Sequence, residues 1–185
     1  MKMRVLSPIT ALIAALLVIG AAPPATAASK SAPEIHYDAA KLPERVRKMR
    51  SDILAAARSG NIEAMRPVLE SNELMPLVAH DAVADPIAHW KQNSADGEGR
   101  EILAILIDVL EAGYVKLNAG KPDETYVWPY LAELSLDKLT PAQQVELYRI
   151  VSPDEVKTMK DTGAYIHYRL GLGRDGTWHY FIAGD

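Results

Sequence analysis

The 185-residue chain has no cysteine, no excess of basic residues and, past its first 27 positions, no apolar run long enough to cross a bilayer. Each absence removes a class of protein. Without cysteine there is no disulfide, no thiol nucleophile and no site for lipid attachment, so stability has to come from packing. With 20 Lys and Arg against 24 Asp and Glu, and the bases scattered, the chain lacks the patch that draws polyanions. That excludes nucleic acid and disfavours adhesion to anionic lipid. No Gly-x-Ser-x-Gly nucleophile motif is present either.

What is present begins with a leader. Lys2 and Arg4 precede an apolar run over 11–19, and Pro23-Pro24 and the small-residue site Ala25-Thr26-Ala27 follow it. That is the order of a secretory signal peptide cleaved after Ala27. The run is shorter than the ~20 residues of a spanning helix and is broken by Gly20 and Pro23, so a membrane anchor is the weaker reading. The expectation is a protein exported to the periplasm or beyond, without stable membrane insertion after cleavage. Lys2 and Arg4 leave with the leader, which holds no acid, so the mature chain is more acidic than the formal −4 of the whole.

Residues 28–41 read as a flexible leader, and one α+β domain is expected over 42–185. From Leu42, Val46, Met49, Ile53, Leu54 and Ala57 recur at helical spacing, and Gly60 ends that helix. Asn61 caps a second helix toward Ser71, which Pro67 should shorten or kink. The basic cluster Arg45, Arg47, Lys48 and Arg50 is interleaved with Glu44 and Asp52 and reads as a solvated helix face. Asp85-Pro86 opens a short helix, and residues 100–112 are apolar nearly all round, as in a buried helix, apart from a polar strip of Glu101, Asp108 and Glu111. Segments 114–117 and 126–131 read as extended, the second placed at a sheet edge by Pro129. Thr140-Pro-Ala-Gln143 and Ser152-Pro-Asp-Glu155 then spell two capping boxes.

The last 22 residues spell a β-hairpin. Ala164, Ile166, Tyr168, Leu170 and Leu172 alternate with Tyr165, His167, Arg169 and Gly171, and beyond the turn Arg174-Asp175-Gly176 the positions Trp178, Tyr180 and Ile182 alternate with Thr177, His179, Phe181 and Ala183. A three-residue loop ending in left-handed Gly176 pairs residues whose numbers sum to 350 and keeps the even-numbered apolar sets on one face. The odd-numbered face then joins Tyr165, His167 and Arg169 to His179, Phe181 and Ala183. Rings beside an arginine and imidazoles can stack a planar group and hold an anion, which suits a peptide or glycan partner. A second candidate platform is Tyr126, Trp128 and Tyr130, spaced to point one way along a strand, with core packing as its alternative.

Other motifs carry less. Placing Gly97 at the sixth position of a calcium loop puts Gln92 first and Leu103 twelfth, where a carboxylate is required. His80, Asp85 and His89 share no metal-ligand spacing. No metal and no cofactor is expected. The leading function is a non-catalytic module binding an envelope protein, peptide or glycan. Its rival is an envelope hydrolase acting on glycan or peptidoglycan with paired carboxylates from Glu98, Glu124 or Glu133, which no spacing selects.

The strings Tyr126-Val-Trp-Pro-Tyr130, Leu139-Thr-Pro141, Gly163-Ala-Tyr165 with Tyr168-Arg169, and Asp175-Gly-Thr-Trp178 with Phe181 and Gly184-Asp185 resemble a group of exported bacterial proteins of unknown function over residues 84–185. The resemblance implies export and transfers no functional residue. Helices ahead of a terminal sheet are also similar to the cone-shaped nuclear-transport-factor-like fold, by analogy alone.

Overall fold

In the computed structural model, which describes residues 33–184, the chain runs β1 (Ile35–His36), α1 (Glu44–Arg58), α2 (Arg66–Glu70), α3 (Pro86–Asn93), α4 (Arg100–Glu111), β2 (Tyr114–Leu117), β3 (Thr125–Trp128), α5 (Pro141–Ile150), α6 (Pro153–Thr162), β4 (Tyr168–Gly173) and β5 (Trp178–Ala183). The signal-peptide reading falls on residues outside those described. The fold is α+β, with one five-stranded antiparallel sheet whose strands lie side by side in chain order. Among the described residues no helix is long and apolar enough to cross a membrane.

The helix starts follow local chemistry. Asp85 Oδ1 accepts the amides of Ile87 and Ala88, and Thr140 and Ser152 close full capping boxes with Gln143 and Glu155. Each such cap contributes about 1 kcal/mol, and the proline after it loses no helical hydrogen bond because its position needs none. Asn61 caps only a 3-10 turn, Ile62–Met65, and the α-helical part starts one residue before Pro67. The proline thus divides the expected helix.

The sheet is covered on both faces. Tyr126, Trp128, Leu170, Leu172, Trp178 and Phe181 join the larger core with Val46 and Ile53 of α1, Trp90 of α3 and Leu106 of α4. Val115 and Val127 belong to a second core with Leu147 of α5 and Val156 and Met159 of α6. Alternation along β2 and β3 divides each strand between the two cores. In the larger one, Trp90 and Trp178 stack at 6.3 Å and Trp90 meets Phe181 edge-on at 6.1 Å.

Three expectations are corrected. The leader is ordered from Ile35 onward, because Ile35 and His36 pair with Val115 and Tyr114 and extend the sheet. The strand before Pro129 is the third of five rather than an edge, since β3 ends at Trp128 and the missing amide of Pro129 falls beyond the ladder. In the terminal hairpin the three-residue loop is present, with Gly176 at φ +88°, and Leu172 faces Trp178. One residue later the register shifts: Gly171 faces Tyr180, Leu170 faces Phe181 and Arg169 faces Ile182. His179 is the extra residue of a β-bulge, which turns Phe181 inward and Tyr180 to the other face. Beside β5, the Leu77 amide donates to the His179 carbonyl at 2.9 Å and the Leu77 carbonyl accepts the Phe181 amide at 2.8 Å.

Candidate functional site

The bulge and the start of β4 at Tyr168, which leaves Tyr165 and His167 ahead of the strand, dismantle the odd-numbered face. Phe181 is fully buried and stacks on Tyr168 at 4.6 Å. Tyr165 is buried in the second core, its hydroxyl donating to the Tyr168 carbonyl. Arg169 lies half-buried on β4, across from Ile182. His167 is buried, its Nδ1 3.1 Å from Glu155 Oε1 and its Nε2 unpartnered. The Ser152 hydroxyl donates to the same Glu155 carboxylate, so the acid stands between the serine and the imidazole. A nucleophilic triad needs the imidazole in the middle. Burial works against it, yet the Ser152 hydroxyl and His167 hold the Glu155 carboxyl below its ordinary value. Tyr126, Trp128 and Tyr130 are at most 3% exposed and pack the cores, so no ring of that platform faces solvent. Of the sequence candidates, His179 alone is exposed beside a cavity.

That cavity, about 560 Å³, opens at the end of the sheet where the β2–β3 loop meets the hairpin turn. The pairing of Thr125 with Gly173 brings the two loops together, and the Arg174 amide donates to the Glu124 carbonyl at 3.1 Å. Helix α1 supplies the third wall, since the hairpin turn sits on its first turn: a β-carbon on Gly176 would stand 2.8 Å from the Arg45 carbonyl oxygen. Over Gly173 lie His179 Nε2 and Asp175 Oδ1, which a β-carbon there would meet at 2.6 and 2.8 Å. Glycine at this position leaves the imidazole and carboxylate room to sit against the strand.

The contacts of the basic cluster on α1 divide its members. Arg50 donates to the Leu110 carbonyl at the end of α4, Arg47 reaches the Ala40 and Leu42 carbonyls, and Lys48 pairs with Asp52 at 2.6 Å. The Arg45 side chain makes no hydrogen bond or ion pair within the described residues and lines the cavity. The Arg174 and His179 side chains are likewise exposed in its wall and make no hydrogen bond or ion pair, although the Arg174 charge acts on Glu124. The acids of the same wall accept hydrogen bonds. Glu124 is buried and receives the Gly120 amide at 2.6 Å and the Tyr126 hydroxyl at 2.7 Å. The Gly120 amide holds its carboxyl below the ordinary range, against the effect of burial, and the Tyr126 hydroxyl adds to the lowering. Thr177 does the same for Asp175 through its amide. Asp123 accepts Asn118 Nδ2 on one oxygen, Oδ2, leaving Oδ1 open.

The remaining motifs have local work. Asp96 Oδ1 receives the Ser94 hydroxyl and the Glu98 and Gly99 amides, closing the loop before α4. His80 Nε2 lies 2.9 Å from the Ala183 carbonyl, His89 is bonded to Asn93 and Asp85 caps α3. No group of three His, Asp or Glu among the described residues is arranged to hold a metal ion. A Ser-x-x-Lys string, Ser135 to Lys138, lies in a 3-10 turn with its hydroxyl donating to Asp137. Arg45, Arg174 and Asp123 escape a reading of the sequence because their meeting depends on the pairing of β3 with β4 and on the seat of the hairpin against α1. Two charged turns, Pro122-Asp-Glu-Thr125 and Gly173-Arg-Asp-Gly176, were the available signal.

No family model, curated protein or solved structure matches the chain, and the site is read from its own chemistry.

Proposed function

We propose that this is an exported, non-catalytic binding protein of the cell envelope, whose ligand enters the cavity at the end of the sheet with an anionic group toward Arg45 and Arg174. The observation that carries the reading is a pair of guanidiniums without hydrogen-bond partners, joined by His179, around a cavity of about 560 Å³. Such a volume suits a small ligand, and a guanidinium matches a carboxylate bidentately. The hydrolase alternative finds less support. A general acid needs a carboxyl held protonated near neutral pH, whereas Glu124 is held ionised by its donors. Glu98 and Glu133 are not in the wall of its cavity.

Titration of the isotope-labelled protein with acetate, followed by backbone amide shifts, tests the site. Saturable shifts at Thr125, Gly173 and His179, lost in the Arg45→Gln/Arg174→Gln double variant, are expected. Absence of saturable shifts there in the unaltered protein overturns the assignment. Export has its own readout: protein from the envelope fraction begins at Ala28, and an intact Met1 there overturns it.

A further inference from the structure

The wall of the cavity is not that of a simple anion site. Two guanidiniums that make no hydrogen bond share it with two carboxylates held in the ionised form, Glu124, on which the Arg174 charge acts, and Asp175, and with the exposed Asp123. A phosphate or other polyanion pulled toward Arg45 and Arg174 meets this negative charge in the same wall, and like charges in one site repel. A sugar ring finds no aromatic side chain in the wall other than the His179 imidazole. Opposed charges in one wall fit a ligand that carries both signs.

We infer that the ligand is a short zwitterionic peptide, its carboxylate on the Arg45 and Arg174 guanidiniums and its ammonium on Asp123. The inference rests on the cavity being the binding site, as proposed above. Asp123 Oδ1 is an acceptor that nothing in the described chain uses, and Arg45 and Arg174 are donors in the same condition. Ion pairs between such groups and a ligand are charge-assisted and directional, so each end of the ligand is oriented separately. A second cavity of about 290 Å³ shares Arg45 and Asp175 and continues past the hairpin turn to Asn72 and Thr177, where a peptide backbone meets further polar groups.

Three probes separate the two charges: alanyl-alanine, its N-acetyl form, which keeps only the carboxylate, and its amide, which keeps only the ammonium. Calorimetric titration of the purified chain should show the free dipeptide binding at least about tenfold tighter than either blocked form. Arg174→Gln weakens the dipeptide and the N-acetyl form and leaves the amide unchanged. Asp123→Asn, which keeps an acceptor for Asn118, weakens the dipeptide and the amide and leaves the N-acetyl form unchanged. If the N-acetyl form binds as tightly as the free dipeptide, the zwitterion assignment is wrong while the anion site stands. If none of the three binds, the peptide assignment is wrong, and acetate titration separately decides whether the cavity is a site at all. Circular dichroism of both variants guards against unfolding, since neither side chain packs in a core.

Discussion

The ring of Tyr180 lies across the α-carbon of Gly171 on the neighbouring strand, so close that a β-carbon there would come within 2.4 Å of two ring atoms. The pair is a product of the bulge at His179, which turns Tyr180 to the face opposite Trp178. Burial, and after it the charge of Glu133, pushes the Tyr180 hydroxyl up to about 12, with Arg169 acting the other way.

Gly171→Ala is therefore expected to destabilise the protein by about 1–3 kcal/mol, the usual cost of overpacking. Tyr180→Ala removes the obstacle, so the double variant loses less than the two single changes together, by about 1 kcal/mol. Urea unfolding of the four proteins measures this coupling. Strict additivity would show that the ring does not rest on Gly171.

Gly176 is constrained twice. Its φ of +88° is strained for a β-branched residue, and an added β-carbon meets the Arg45 carbonyl at 2.8 Å. Gly176→Val should lower the unfolding midpoint far more than Thr177→Val, which changes a half-buried neighbour. Similar small effects from both would contradict the turn geometry and the packing of the hairpin on α1.

Asp96 gives stability a pH dependence. The Ser94 hydroxyl above all, and then the Glu98, Arg100 and Gly99 amides, bring its carboxyl from the ordinary 3.8 to about 2. A folded-state value below the unfolded one means that the contribution is complete above the unfolded value and is lost as pH falls through the folded one. Asp96→Asn should thus be less stable than the parent near neutrality and converge on it toward pH ~2. Thermal unfolding across that range checks the sign. A gap that stays constant with pH would assign the effect to loop shape instead of charge.

What could be read from the sequence was whatever a few neighbouring residues decide. Thr140 and Ser152 announce their helices because a hydroxyl, a proline and a side chain at the third position satisfy one another within a single turn. Gly176 announces the hairpin for the same local reason. The bulge at His179 has no such signature, since it depends on Leu77 beside β5 and on Tyr180 finding room over Gly171. The role of Arg45 was equally hidden. In sequence it is indistinguishable from Arg47 and Arg50, and only tertiary contacts assign those two to carbonyls and leave Arg45 at the cavity.

The Leu77 contact also bears on how the molecule behaves in company. Fibrils grow where a border strand presents a row of open amides and carbonyls to another chain. Along β5 the His179 carbonyl and Phe181 amide are taken up by Leu77, and the Ala183 carbonyl faces His80. Pro76, just before Leu77, has no amide to pass the ladder outward. At the opposite border, β1 is only two residues long, too short to template a stack. The stretch from Leu77 to His80 thus covers the border of β5, and peeling it away would leave the His179 carbonyl and Phe181 amide open to another strand.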